Sequence, residues 1–303
     1  MRTANIRAMI GGTLLLMSIL VPASAAQSPT RASEQPNSQR ISVQTQGTGT
    51  DVILIPGLAS SRDVWAGLAS GLRTSHRIHL VELAGFAGTP AISNPEGKVI
   101  APAVDAIAEY INTQHIKAPV IIGHSLGGEI ALMLGARYPD LVGRLMIVDA
   151  LPFYTLTINP AATSETAVPH ATAMRDWLLS QSPEQFVAFQ NTSIARLAKT
   201  EAVRPALAAA GINSDRKTVA DAVYELMVTD LRPELGRIQA PIEIVYAYDP
   251  LFGIPAASVD MMYRQAYAAA SKIHFTRIDD SFHFVMLDQP ERFSSAVASF
   301  LNQ

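Results

Sequence analysis

Residues 120–128 read Val-Ile-Ile-Gly-His-Ser-Leu-Gly-Gly, and a helix-favouring stretch, 129–134, follows them directly. The apolar, β-branched run 120–122 is typical of a buried parallel strand. The residues after the glycines favour a helix as far as Arg137, shortly before a proline. The stretch therefore predicts a strand, a sharp turn and a helix.

Ser125 lies at the centre of this turn, between Gly123 and Gly127. Glycines on both sides are expected when a strained turn leaves no room for neighbouring Cβ atoms. Such a turn lifts the serine hydroxyl out of the sheet, next to the free N–H groups at the start of the helix. A Gly-x-Ser-x-Gly pattern alone could be an ordinary turn, but the strand before it and the helix after it favour a nucleophile.

Composition excludes several classes of protein. Lys and Arg number 23 against 26 Asp and Glu, so the chain offers no basic face to nucleic acid. With no cysteine, it has no disulfide, thiol nucleophile or cysteine-based metal site. The 303 residues are 49% apolar and only 16% charged, enough for a large α/β core. We expect no metal and no cofactor.

The N-terminus has the pattern of a secretory signal peptide. Arg2 and Arg7 precede an apolar run, 8–21, and an Ala-rich site follows at 23–26. The run is shorter than the roughly 20 residues that a spanning helix needs, so no permanent membrane anchor is expected. Residues 1–25 are predicted to be the signal peptide and 26–40, rich in Ser, Gln, Pro and Asn, a flexible leader. The mature protein is expected to be exported, periplasmic or secreted.

The rest of the chain predicts a mostly parallel, doubly wound α/β sheet. Apolar strand patterns alternate with helical patterns through 41–151 and resume through 236–303. Between these two parts, residues 152–235 contain only helical patterns, one of them beginning at a Ser-Pro-Glu-Gln capping box at 182–185. We expect 152–235 to be a helical insertion that covers the end of the sheet.

The elbow at Gly-His-Ser-Leu-Gly-Gly resembles that of the α/β-hydrolase superfamily of serine hydrolases. The resemblance implies an order along the chain of oxyanion loop, serine, acid and histidine. Pro56-Gly57-Leu58 follows a buried strand where that superfamily places its oxyanion loop. By resemblance, the N–H groups of Leu58 and Leu126 form the oxyanion hole.

The same resemblance assigns the remaining site residues. His283 precedes a short apolar run and Pro-Glu, and therefore matches the catalytic histidine. Asp249, at the end of a strand before proline, matches the acid. Asp149, at the end of the strand after the elbow, is the competing acid, because a few members of the superfamily take it from there. Phe86 and Trp177 are candidates for the substrate pocket.

The expected function is cleavage of an acyl bond, most often a carboxylic ester, through an acyl-enzyme on Ser125. The expected partner is a small-molecule acyl substrate, and the sequence gives no oligomeric state. Alternatives on the same fold are a peptidase like proline iminopeptidase, a lactonase, a carbon–carbon hydrolase and an acyltransferase. From other classes, a non-catalytic ligand-binding protein and an exported interaction protein remain open.

Overall fold

The structure, a computed structural model, describes residues 34–94 and 96–302. The predicted signal peptide, 1–25, and the first part of the predicted leader, 26–33, lie outside the described residues. Among those described, no helix combines the length and the apolar character needed to cross a membrane.

Within the part of the chain that the structure describes, eight strands form one sheet, in the order β1-β2-β4-β3-β5-β6-β7-β8. The strands are β1 Glu34–Ser38, β2 Ile41–Gln46, β3 Thr50–Ile55, β4 His76–Leu83, β5 Val120–His124, β6 Arg144–Val148, β7 Ile242–Tyr248 and β8 Ile273–Asp279. The pairs β1–β2 and β2–β4 are antiparallel, and every other neighbouring pair is parallel. The predicted mostly parallel sheet is confirmed.

The first strand corrects one expectation. Residues Glu34–Ser38, placed in the predicted flexible leader, pair antiparallel with β2. Their sequence, Glu-Gln-Pro-Asn-Ser, has no apolar alternation, so the pattern gave no sign of a strand. Backbone hydrogen bonding to an exposed edge does not require that pattern.

The inner parallel strands β3, β5, β6 and β7 are largely buried on both faces, and alternate side chains belong to different cores. Ile53, Ile55 and Ile121 belong to one apolar cluster, whereas Val52 and Leu54 belong to the other. This alternation follows from the two-residue period of a strand. A sheet covered on both faces needs continuous apolar strands, which explains why these runs are almost wholly hydrophobic.

Helices cover these two faces and the end of the sheet. The α-helices are α1 Ala66–Leu72, α2 Ile100–Thr113, α3 Leu126–Arg137, α4 Ser164–Ser180, α5 Pro183–Leu197, α6 Arg204–Ile212, α7 Arg216–Val228, α8 Ala256–Ala266, α9 Val285–Asp288 and α10 Pro290–Leu301. Short 3₁₀ helices occupy Arg62–Trp65, Pro139–Leu141, Tyr154–Thr157, Glu201–Val203, Arg232–Arg237 and Pro250–Phe252.

The segment 152–235, which we call the cap, contains α4 to α7 and three of the 3₁₀ helices between β6 and β7. Helix α4 packs on α7, and α5 packs on α6. The predicted capping box at the start of α5 is present, with Ser182 and Gln185 each accepting from the other's backbone N–H. The division of the chain into a core and a cap stays a prediction.

Candidate active site

Ser125 lies in the strained turn between β5 and α3. Its backbone dihedrals are φ 54° and ψ −119°, a conformation that is rare for a residue with a side chain. The turn is held by the bond from Ser125 N–H to the Val148 carbonyl, 2.9 Å, and by two bonds that the Ser125 carbonyl accepts from Gly128 and Glu129. Backbone strain of this kind costs on the order of 1–3 kcal/mol and is found mainly at functional sites.

The glycines beside Ser125 are required by close backbone contacts. A Cβ atom at Gly123 would lie 2.1 Å from the Gly127 carbonyl oxygen, and one at Gly127 would lie 2.3 Å from the Ile55 carbonyl oxygen. The elbow therefore packs so tightly against itself and against the end of β3 that no larger residue fits at either position.

The predicted oxyanion loop lies directly beside the serine. A Cβ atom at Gly57 would be 3.2 Å from the Cβ of Ser125. Leu58, the next residue, lines the same cavity as Ser125, and Leu126 is the first residue of α3, where an N–H has no acceptor within its own helix. Leu58 therefore lies in the loop packed against Ser125, and Leu126 directly follows Ser125 at the start of α3.

His283 lies in the loop between β8 and α9 and pairs with a carboxylate. Its Nδ1 lies 2.7 Å from Oδ2 of Asp149, a distance typical of a charge-assisted hydrogen bond. Since Nδ1 is used in this bond, Nε2 is the ring nitrogen left to accept a proton. Ser125, Asp149 and His283 line one cavity.

Asp149 is held in place from two further directions. Its other oxygen, Oδ1, accepts from Ala247 N–H at 2.9 Å and from the Tyr263 hydroxyl at 3.0 Å. Burial, together with the negative charge of Asp149, raises the pKa of Tyr263 well above its usual value, so Tyr263 stays protonated as a donor. With φ 47°, Asp149 also adopts the left-handed conformation, which turns the chain at the end of β6.

The structure does not pair His283 with Asp249, the acid expected from the sequence. Asp249 is 1% exposed, and its Oδ1 accepts from Leu251 N–H at 2.9 Å, which caps a 3₁₀ helix. Its Oδ2 accepts from Nζ of Lys199, in the cap, at 2.7 Å. Both oxygens of Asp249 are therefore used elsewhere. Lys199 also contacts Asp280.

The charge of Asp249 is matched by these donors. Burial acts to raise the pKa of this carboxyl, but the bonds from Lys199 and from Leu251 N–H outweigh it, and the pKa lies below its usual value. The group is therefore an ionised structural carboxylate that joins the end of β7 to the cap.

His124, just before Ser125, supports the loop that carries His283. It is 1% exposed, its Nε2 lies 3.0 Å from the His283 carbonyl oxygen, and the two imidazole rings are 4.5 Å apart. Burial, and then the proximity of His283, lower the pKa of His124 well below its usual value. A neutral His124 donates from Nε2 to the backbone of His283 and adds no positive charge to the site.

Glu129, one turn after Ser125 on α3, is buried without a partner. Neither of its carboxyl oxygens has a hydrogen bond within the described residues. Burial, and then repulsion from Glu225, raise its pKa well above the usual value. The surroundings of Glu129 therefore favour its neutral form, which places no charge behind Ser125.

A cavity of about 490 Å³ lies over Ser125 and extends under the cap. Its walls are mainly aliphatic and aromatic side chains from α4 to α7, including Met174, Leu178, Phe189 and Ile194. Polar groups lie at the sheet end, around Ser125 and His283, and the cap adds the polar side chains of Tyr154, Thr157, Gln190 and Ser193. A cavity of this kind accepts an apolar group and holds its reactive end at the sheet.

The two predicted pocket residues have other positions. Phe86 is fully buried in the core beneath the sheet end, where its ring packs with apolar side chains. Trp177 is 40% exposed, and its ring contacts Phe189 edge-on at 4.9 Å, so it supports a wall residue. Neither Phe86 nor Trp177 is among the described residues that line the cavity. The structure therefore forms the cavity wall from side chains other than the two expected from the sequence.

Sequence reasoning missed three residues of the site: His124, Tyr263 and Gln190 of α5, a polar group in the cavity wall. His124 had a signal, because it directly precedes the nucleophile. Tyr263 and Gln190 lie on helices far along the chain, and only the fold brings them to the cavity.

The chain is similar to known proteins in sequence and in fold. A family model described as alpha/beta hydrolase fold matches residues 51–219. A pimeloyl-acyl-carrier-protein methyl ester esterase of Chromobacterium violaceum is 30% identical over 207 residues, which cover 67% of this chain and 77% of that protein. Its counterpart in Aeromonas salmonicida is 26% identical over 269 residues, covering 86% of this chain and 99% of that protein.

Solved structures show the same fold. The enol-lactonase from Burkholderia xenovorans LB400 superposes with a TM-score of 0.72 at 17% identity, over 89% of this chain and 100% of that chain. At this level of identity the likeness concerns the fold alone.

Proposed function

Since the chain is a hydrolase of the alpha/beta hydrolase fold family, we propose that it cleaves carboxylic esters with Ser125, His283 and Asp149 as its catalytic triad. The observation that carries this proposal is the 2.7 Å contact between His283 Nδ1 and Asp149 Oδ2, in a cavity that Ser125 also lines. Serine is a poor nucleophile until a base takes its proton, and an oriented imidazole is that base.

In the acylation step, the hydroxyl oxygen of Ser125 attacks the ester carbonyl while Nε2 of His283 accepts the hydroxyl proton. Asp149 fixes the tautomer with the proton on Nδ1 and stabilises the imidazolium that forms. The tetrahedral intermediate then collapses, the bond to the alcohol oxygen breaks, and His283 returns the proton to the leaving alcohol.

The negative charge that develops on the carbonyl oxygen is stabilised by the N–H groups of Leu58 and Leu126. Each such donor in a site that excludes water is worth about 3 kcal/mol towards the transition state. The start of α3 adds the positive end of a helix dipole at the same place. In the second half-reaction, His283 takes a proton from water while the water oxygen attacks the acyl carbonyl. The bond to the Ser125 oxygen then breaks, His283 returns the proton to that oxygen, and the acid leaves.

The substrate supported best is an ester with an apolar acyl group of small to medium size. A cavity of about 490 Å³ with mainly apolar walls favours a hydrocarbon chain over a charged one. The relatives named as methyl ester esterases support ester hydrolysis by this chain. Peptide, lactone and carbon–carbon cleavage and acyl transfer are the competing reactions.

Hydrolysis of p-nitrophenyl esters, from acetate to long acyl chains, tests the proposal. The wild type and Ser125→Ala are compared, and each is also treated with a fluorophosphonate that labels an activated serine. We expect turnover and labelling in the wild type, and loss of both in the variant. Ser281→Ala, which removes a buried serine outside the cavity, is the matched control and should keep both. Absence of labelling in the folded wild type would contradict the proposal and favour a ligand-binding role.

We also propose that the protein is exported, on the basis of the charged start, the apolar run at 8–21 and the Ala-rich site that follows. The expected form of the mature chain begins after Ala25 or Ala26. N-terminal sequencing of the protein recovered from the periplasm or the medium tests this. An uncleaved chain found only in the cytoplasm would contradict export without touching the proposed reaction.

A further inference from the structure

Gln190, on the cap helix α5, is a buried polar group without a partner. It is 8% exposed and lines the cavity. Within 34–94 and 96–302, no protein group forms a hydrogen bond with its side-chain amide. The amide is not among the fully enclosed side-chain groups that lack a partner, so its atoms face the open space of the cavity, where a group of the substrate can bind them. Ser193, one turn further along α5, lines the same cavity.

The neighbouring helix leaves space for this amide. Gly211, near the end of α6, also lines the cavity. A Cβ atom at this position would lie 2.5 Å from Oε1 of Gln190 and 2.8 Å from its Cδ. The absence of a side chain at Gly211 therefore lets the Gln190 amide lie flat against α6, at the cavity wall.

The side chains around the Gln190 amide decide whether the amide can bind a charged or an uncharged group. Among the described residues that line the cavity there is no lysine or arginine. A carboxylate or phosphate in the acyl chain would thus enter the cavity without a counter-ion, at a large cost in desolvation. A neutral oxygen, such as that of a ketone, a hydroxyl or a second ester, has no such cost.

We propose that Gln190, with Ser193 beside it, forms a polar subsite that binds an uncharged oxygen substituent on the acyl chain of the ester. This inference rests on the proposed ester hydrolysis at Ser125. The amide donates from Nε2 to a carbonyl oxygen, or accepts at Oε1 from a hydroxyl. The walls around Gln190 and Ser193 are mainly apolar, so the position of the oxygen along the chain decides which substrates fit.

The subsite discriminates between acyl chains in two ways: it binds an oxygenated chain more tightly, and it binds a plain hydrocarbon chain less tightly. A plain hydrocarbon chain leaves the Gln190 amide unpaired in the complex, whereas the oxygenated chain satisfies it. Sites built to bind a polar group reject analogues without that group much more strongly than apolar sites reject extra methylenes.

The test compares p-nitrophenyl alkanoates with p-nitrophenyl oxo-alkanoates of the same length, in which the ketone is moved along the chain. For at least one ketone position we expect the wild-type kcat/KM to exceed that of the matched alkanoate by about tenfold or more. In Gln190→Met, which keeps the length of the side chain without its amide, this ratio should fall to near one.

Two further variants test the same subsite: one perturbs the position of the Gln190 amide, and the other is a control on the same helix. Gly211→Ala places a methyl group against the Gln190 amide and should also lower the ratio, in a helix that alanine favours. Asn191→Leu, at an exposed neighbour of Gln190 on the same helix, is the matched control and should keep the wild-type ratio.

The outcomes separate this inference from the proposed function. A wild type that hydrolyses alkanoates but shows a ratio near one for every ketone position would overturn the subsite alone. An unchanged ratio in Gln190→Met, whose folding is verified by fluorophosphonate labelling, would do the same. A wild type that neither hydrolyses the esters nor is labelled would overturn the ester hydrolysis on which the subsite depends.

Discussion

Asp149 and Asp249 occupy equivalent places at the ends of two neighbouring parallel strands, yet they have different partners. Asp149 binds Nδ1 of His283 and is fixed by Ala247 N–H and the Tyr263 hydroxyl. Asp249 is bound by Lys199 and caps a short helix. In sequence the two are alike, because each aspartate directly follows the last residue of its strand. Contacts from distant parts of the chain therefore decide which carboxylate serves the histidine.

The difference can be followed to Lys199, just after α5. This lysine places its ammonium group on Oδ2 of Asp249, the oxygen that a histidine would otherwise need. An ammonium ion in contact with a carboxylate competes directly with an imidazole for it. The cap thus gives one of the two acids a structural role and leaves Asp149 as the partner of His283 in the proposed triad.

The largest expected effect is on kcat, which should depend strongly on Asp149 and only weakly on Asp249. Asp149→Asn should lower kcat for ester hydrolysis by about 10³–10⁴-fold, because His283 loses the acceptor that fixes its tautomer. Asp249→Asn should keep kcat within about threefold, an effect near or below that of one weakened hydrogen bond. Steady-state kinetics on one p-nitrophenyl ester, with active serine counted by fluorophosphonate labelling, gives both values. A reversed pattern would restore Asp249 as the catalytic acid.

A smaller effect is expected on stability, and here Asp249 is the more sensitive residue. Folding lowers the pKa of Asp249, so its ionised form stabilises the folded chain above about pH 4, and this stabilisation is lost as the pH falls through the folded-state pKa. At pH 7, Asp249→Asn should lower the free energy of unfolding by on the order of 1–2 kcal/mol. Part of the charge interaction is screened, since Lys199 is 35% exposed.

Urea unfolding of wild type and Asp249→Asn at several pH values measures this difference. We expect it to shrink as the pH approaches 3, where the carboxyl is increasingly protonated in both states. Asp249→Asn made in a Lys199→Met background serves as the control, and there the substitution should cost less. A difference that grows on acidification would contradict the structural role given to Asp249.

The smallest expected effect concerns the second support of Asp149. Tyr263→Phe removes the hydroxyl that bonds to Oδ1, while Ala247 N–H remains, so kcat should fall by about three- to tenfold. Tyr267→Phe is the matched control, because its hydroxyl is also buried but donates to the Ala150 carbonyl oxygen. Kinetics at saturating ester compares them. An equal loss of kcat in both variants would mean that the Tyr263 hydroxyl has only a structural role.

Much of the fold could be predicted because its signals are local. The strands β2 to β8 are marked by apolar runs and the elbow by glycines that close backbone contacts require. The family and the mostly parallel sheet, both expected from these patterns, are confirmed. By contrast β1 is a polar strand whose pairing depends on backbone groups, so its side chains gave no pattern to read.

The site was only partly predictable, because several of its contacts join residues that are far apart in sequence. The structure brings His283 to the cavity that Ser125 lines, in agreement with their order along the chain. The choice between the two acids depends on Lys199, which is fifty residues in sequence from Asp249 and equally far from Asp149. The pocket depends on how the four cap helices pack over the sheet end. The apolar periodicity of α5 does not show that Gln190 lines the cavity, and the loop after β4 does not show that Phe86 is buried in the core.

The central claim, that His283 is paired with Asp149, is tested most directly by proton NMR of the chain labelled with ¹⁵N at its seven histidines. A ring proton donated from Nδ1 to a carboxylate appears far downfield, and its loss in His283→Ala identifies the signal. We expect the signal in the wild type and in Asp249→Asn, and its loss or a large upfield shift in Asp149→Asn. A signal that persists in Asp149→Asn and disappears in Asp249→Asn would contradict the pairing.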